Sequence, residues 1–165
     1  MGRKHAGASL DELREVYERR LAEFRRVAAA IVDDRETACD AVQEAFVRAV
    51  RLRRSYTRRG SLDAWLWRIV VNTARDMRPP ALERINERAE TTAPTDADGD
   101  DRRGLVQAAV QQLPERQRLV LFLRHYADLD YGSIAVALAI SDGTVAATLH
   151  AAHSRLRQLL SEVRR

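Results

Sequence analysis

The chain has 165 residues, 45% of them apolar, with only 7 glycines and 4 prolines, so it can build packed cores and is neither disordered nor collagen-like. Basic residues number 28 against 24 acidic ones, and the excess lies in the front half: residues 1–90 carry 19 basic and 15 acidic side chains, residues 91–165 nine of each. One cysteine, Cys39, excludes an internal disulfide, and no Cys/His cluster is spaced for zinc.

No metal or other cofactor is therefore expected, and a reducing, cytoplasmic setting is the natural one. The first fifteen residues turn polar before seven consecutive apolar ones occur, so no secretory signal is expected. Apolar runs such as 119–123 and 69–71 are far too short to span a membrane.

Ser9 followed by Glu12 has the pattern of a capping box, and Leu13, Val16, Tyr17, Leu21, Phe24, Val27 and Ala28 follow at helical spacing. A first helix to about Ile31 or Val32 results. Asp33 and Asp34 break it and can cap a second, in which Ala38, Ala41, Val42, Ala45, Phe46, Ala49, Val50 and Leu52 hold one stripe as far as Arg53. Its other face shows Asp40, Gln43, Glu44 and Arg48. Residues 56–60 read as a loop and Ser61 as an N-cap. A third helix over 62–77 is closed by Pro79 and Pro80.

Six arginines, at 48, 51, 53, 54, 58 and 59, fall within twelve residues, a density suited to a polyanion such as DNA. In the third helix Trp65, Arg68, Asn72, Arg75 and Asp76 recur every three or four residues and share one side. Rings stack on unpaired bases, while Asn and Arg read base edges. The plainer alternative puts Trp65 and Trp67 in the core.

Periodicity decays after Ala81. Residues 83–90 can hold a helical turn, and 91–103, TTAPTDADGDDRR, is an acidic linker. A short helix beginning at Arg102 or Gly104 runs through Gln112, and Pro114 with Glu115 starts the next. Helices over 131–138 and from 142 to about 160 then flank the tight corner Ala139, Ile140, Ser141, the pattern of a helix-turn-helix whose second helix enters a major groove. Leu119, Val120, Phe122, Leu123, Tyr126, Leu129, Ile134, Leu138, Ile140, Val145, Leu149, Leu156 and Leu159 are the expected second core. The fold class is all-α: two small helical domains, 9–80 and 104–163, joined by a flexible acidic linker, 81–103. No carboxylate pair, nucleophile and base, phosphate loop or metal cluster suggests an enzyme.

Three stretches, DAVQEAFVRA at 40–49, GSLDAWLWRIVVNTARD at 60–76 and the run from LPERQR at 113–118 to RLR at 155–157, resemble the extracytoplasmic-function (group 4) sigma factors of bacterial RNA polymerase. The resemblance covers nearly the whole chain and implies a sigma domain 2, a linker and a sigma domain 4. It implies a transcription initiation factor that binds core polymerase, at the coiled coil of its largest subunit and at its flap region, and directs promoter recognition and melting. Asp40, Gln43, Glu44 and Phe46 stand where the family binds that coiled coil, and Tyr56, Ser61, Trp65, Arg68, Asn72 and Arg75 where it melts and holds the −10 element. Ser141, Thr144, Thr148, His150 and Arg155 would face the −35 element, and an anti-sigma factor is the expected regulator.

The chain also departs from the pattern. Thr37 and Cys39 stand where the family often has acids, and Ala146, Ala147, Thr148 and Ala151 where it commonly has Lys or Arg, so −35 contact is expected to be weak or carried by shape and thymine methyls. Ala139 occupies a corner position that often holds glycine; a left-handed alanine there would cost about 1 kcal/mol. A rival reading is a sigma-like interaction protein that occupies the polymerase but reads DNA poorly. Another, a helix-turn-helix repressor, leaves residues 9–78 unexplained. His150 and His153 read as surface residues, and Cys39 as a small buried one.

Overall fold

The computed structural model describes residues 7–80 and 101–162, and among them the regular elements are helices: α1 Leu10–Val32, α2 Arg35–Leu52, a 3₁₀ turn Arg53–Ser55, α3 Leu62–Asp76, α4 Asp101–Gln111, α5 Glu115–His125, α6 Tyr131–Leu138 and α7 Asp142–Glu162. The turn expected over 83–90 and the linker as far as 100 lie outside the described residues. Helix α4 starts at Asp101, three residues inside the stretch read as linker.

Side-chain caps explain where the helices begin. The Ser9 hydroxyl accepts from the Glu12 N–H and the Glu12 carboxylate accepts from the Ser9 N–H, completing the capping box. Asp34 accepts from the Thr37 N–H at 2.7 Å, Ser61 from the Ala64 N–H at 3.0 Å and Asp130 from the Ser133 N–H at 2.7 Å. Each such cap contributes about 1 kcal/mol. The bonds to Thr37 and Ser133 also hold the carboxyls of Asp34 and Asp130 below their usual range.

Helices α1, α2 and α3 pack on one another around a chain of rings: Tyr17 lies 4.6 Å from Phe46, Phe46 5.4 Å from Phe24, and Phe24 4.4 Å from Trp67. Trp67 is wholly buried. The α2 stripe ends at Ala49, for Val50 is 38% and Leu52 50% exposed. At 100° per residue Val50 falls about 140° from Ala45, off the buried arc, and Leu52 is the last helical residue.

In the second half α5, α6 and α7 pack together, α4 lies on α7, and the axes of α6 and α7 turn through 98°, a helix-turn-helix corner. Ala139 closes α6 at φ 54°, left-handed, while the Ile140 N–H donates to the Ala135 carbonyl at 3.0 Å. The alanine at this corner is therefore strained by about 1 kcal/mol. Of the expected second core only Tyr126 is largely exposed, at 48%. Its ring is covered instead by the Arg26 guanidinium of α1, 5.1 Å from the centroid.

Two separate cores were expected, and the structure has one continuous buried cluster. The reason is visible in α3, whose buried residues Ala64, Leu66, Trp67, Val70, Val71, Thr73 and Ala74 cover more than one stripe. One side faces α1 and α2. The other is covered by α6, whose Ala135 and Ala137 allow close approach. Polar bonds cross the same interface: Arg20 Nη1 donates to the Ala127 carbonyl at 2.8 Å, and Glu115 pairs with Arg75 and Arg78. No single helix among the described residues is long and apolar enough to cross a membrane.

Candidate nucleic-acid interface

The outer side of α3 carries the expected reading residues. Arg68 and Asn72 are exposed, Trp65 is half-buried and Trp67 fully buried, so the two indoles divide between the two readings given above. Trp65 leans on Tyr56, with ring centroids 5.6 Å apart. Tyr56 itself is buried, donates its hydroxyl to the Gly60 carbonyl at 2.5 Å, and has its phenol pKa pushed up by burial. It shapes the loop more than it offers a free ring face. The Ser61 hydroxyl is spent on its helix cap, and Arg75 on Glu115 at 3.4 Å. Of the six candidates, Trp65, Arg68 and Asn72 thus form an open row.

Half of the arginine cluster is neutralised or capped within the fold. Arg48 pairs with Glu44 and Asp76, Arg58 with Glu12, and Arg53 donates to the Val50 carbonyl. Arg51, Arg54 and Arg59 are exposed and form no ion pair among the described residues. They supply the local positive field beside the loop.

On α2, Asp40 and Gln43 are exposed, while Glu44 and Phe46 are half-buried. Glu44 is held by Arg48 at 3.1 Å, so its charge is partly met inside the molecule. Beside Gln43 and Phe46 runs an open groove of about 510 Å³ whose apolar floor is Leu10, Leu13, Tyr17, Val47 and Val50. The sequence pattern hid it, because Val50 had been assigned to the core and Leu10 precedes the periodic run.

The five candidates in the second half do not form one surface. Ser141 caps α7, accepting from the Thr144 N–H at 3.2 Å. Thr144, Thr148 and Arg155, spaced four and seven apart, share one flank of α7, and His150 lies on another. Ala146, Ala147 and Ala151 are exposed. His153 turns toward α5, with its Nε2 3.3 Å from the Nε2 of His125.

The family model for Sigma-70 region 2 matches residues 16–78 and that for Sigma-70 region 4 matches residues 103–156. The chain is 31% identical over 156 residues to the RNA polymerase sigma-E factor of Streptomyces antibioticus, covering 90% of this chain and 84% of the relative. It belongs to the extracytoplasmic-function type of RNA polymerase sigma factors. The RNA polymerase sigma-H factor of Pseudomonas aeruginosa is 32% identical over 151 residues, with 81% and 78% covered. Two solved structures share the fold at 20% identity and a TM-score of 0.70: the sigma factor RpoE with the anti-sigma factor NepR from Bartonella quintana, covering 92% of this chain and 98% of that one, and CnrH with the cytosolic domain of CnrY, covering 96% and 94%. This sigma factor is a transcription regulator that acts at initiation, and the reading in which it merely occupies the polymerase is not favoured.

Residues that sequence reasoning missed lie between elements far apart in the chain. Arg19 and Arg20 both hold Asp63, at 3.0 and 3.2 Å, and Arg20 reaches on to Ala127. Gly7, Ala8 and Glu12 touch the loop at 53–58. The cap pattern at Ser9 gave Glu12 a role, but no local signal gave it Arg58.

Proposed function

We propose that this sigma factor, of the group 4 subgroup, engages core polymerase through Asp40, Gln43, Glu44 and Phe46 on α2, and opens the −10 element through Trp65, Arg68 and Asn72 on α3. Its functional units would be 9–80 for polymerase and −10 binding, 81–103 as linker, and 104–163 for the −35 element. The observation that carries the reading is the open row on α3 beside a loop at which Arg51, Arg54 and Arg59 stand exposed with no ion pair among the described residues. No hydrolysis is needed, since opening follows when the unstacked strand is bound more tightly than the duplex.

Arg75 would join the row once its bond to Glu115 is released. The −35 contribution, from Ser141, Thr144, Thr148, His150 and Arg155, would be chiefly positional, because alanines occupy much of the exposed face. The resemblance of the fold to two sigma factors solved with anti-sigma partners supports a proteinaceous inhibitor for this one. The site of action would be the cytoplasm, where promoter DNA and polymerase meet.

The test is run-off transcription from a linear promoter template with core polymerase and the full chain. A defined start site is expected, and reversing Asp40 and Glu44 to Lys is expected to weaken core association several-fold. Unchanged association in that variant, or no transcript from any template of a promoter library, would overturn the assignment.

A further inference from the structure

The segment before α1 grips the loop on which base capture depends. Gly7 sits at φ +112°, and a Cβ there would lie 2.7 Å from the Arg53 carbonyl oxygen and 2.9 Å from the Arg54 Cα. Only glycine combines that backbone with that approach. The next residue, Ala8, is buried and donates its N–H to the Arg53 carbonyl at 2.9 Å. The same carbonyl accepts the Tyr56 N–H at 3.4 Å. One oxygen therefore ties the chain start to the point where α2 becomes the loop.

A second tie lies four residues on. Glu12 accepts the Ser9 N–H at 2.7 Å, and both its carboxylate oxygens lie 3.0 Å from Arg58 Nη2. The bonds to Ser9 and Arg58 hold the Glu12 carboxyl below its usual range. Arg58 is itself left-handed, at φ 58°, a conformation that needs outside support in an arginine. Its guanidinium lies 5.9 Å from the Tyr56 ring centroid, and Tyr56 in turn backs Trp65. Residues 7, 8 and 12 precede residue 16, where the region 2 match begins, while Arg53 and Arg58 lie inside it, so the brace ties a flanking segment to the matched one.

We propose that the clasp of Gly7 and Ala8 on Arg53, together with the Glu12–Arg58 ion pair, positions the 56–60 loop and Trp65 to receive an unpaired base. These are positioning residues. The proposal rests on the base-capture reading above. A preformed pocket spares the loop its ordering cost when the base arrives, so the brace acts on opening and leaves duplex binding alone.

The experiment uses full-length protein with core polymerase and a promoter carrying 2-aminopurine in the −10 element, comparing Gly7→Ala, Glu12→Gln, Arg58→Ala, Arg58→Lys and Trp65→Ala. Glutamine keeps the capping-box acceptor and loses the charge, so Glu12→Gln separates the brace from the stability of α1. Glu12→Gln and Arg58→Ala should each reduce the open fraction about two- to fivefold, the double variant no more than either, and Arg58→Lys should recover most of it. Gly7→Ala should lose at least about fivefold. Core association and closed-complex formation on duplex should match wild type in Gly7→Ala, Glu12→Gln and Arg58→Lys. If Trp65→Ala is defective while the three brace variants open the promoter normally, or if Glu12 and Arg58 losses simply add, the brace is refuted and base capture stands. If Trp65→Ala opens normally, base capture fails and the brace with it.

Discussion

Helices α3 and α7 are both long and amphipathic, and both are proposed to meet promoter DNA, yet they spend their exposed surface differently. Helix α3 shows an indole edge, a guanidinium and an amide in one row; α7 exposes three alanines, with Thr144, Thr148 and Arg155 on one flank and His150 on another. Stacking and forked hydrogen bonds discriminate between bases, whereas a methyl surface offers little beyond shape. The contrast supports the proposal that promoter choice by this sigma factor is made mainly at −10, with the rear module setting distance and orientation.

The largest expected effect follows from removing the chemistry of α3. Trp65→Ala takes away the one partly open ring, and base stacking on an aromatic side chain is worth about 1–3 kcal/mol. Open-complex formation should therefore fall by about five- to a hundredfold, with duplex affinity altered far less. Footprinting with permanganate reads this directly. Equal losses in the closed and open complexes would mean that Trp65 supports the fold and does not touch the base.

Next in size is a gain. Placing Arg at Ala147, exposed on α7, should add a phosphate or base-edge contact and steepen the salt dependence of binding by roughly 0.9 in log–log slope. An unchanged slope would show that this face does not approach DNA in the initiation complex, and would leave the comparison resting on α3 alone.

Much of this was legible in the residues. Ser9, Asp34, Ser61 and Ala139 announced the ends of helices because caps and left-handed corners are local problems with few local solutions. The row on α3 was legible for the same reason: Trp65, Arg68 and Asn72, at helical spacing, share a face whatever else the chain does. The docking of α3 on α6 was not, since it depends on pairing two apolar faces about 65 residues apart, and nothing local distinguishes a face that meets its own module from one that meets another. Tyr126 shows the cost of that blindness. Its aromatic character placed it in a core, while its actual cover is Arg26 from the opposite half of the chain. Glu12 failed in another way: one role explained it, and the second was invisible.

A smaller effect tests the corner that aims α7. Ala139→Gly should stabilise the rear module by less than about 1 kcal/mol, because glycine adopts the φ of 54° without strain but part of that relief is lost to its greater freedom in the unfolded chain. Thermal unfolding followed by circular dichroism should show a rise of a few degrees. If the melting point falls, the corner is not strained and α7 owes its direction to other contacts.

The smallest effect distinguishes the modules by pH. Every histidine among the described residues is in the rear half, and His153 is held below its usual 6.5 by burial first, then by His125, Arg157 and His150. A depressed imidazole pKa means that the folded state prefers the neutral ring, so near and below 6.5 the unfolded chain binds more protons. The contribution is full above that value and is lost as the pH falls through 6.5 toward the folded pKa. Between pH 7.5 and 5.5 the lowered carboxyls of Glu12, Asp34 and Asp130 remain ionised and do not obscure it. Unfolding midpoints in urea should drop over that interval in wild type and drop less in His153→Gln. Equal slopes in the two proteins would show that the ring is as well solvated as its surface exposure suggests, and that acid sensitivity does not separate the rear module from the front.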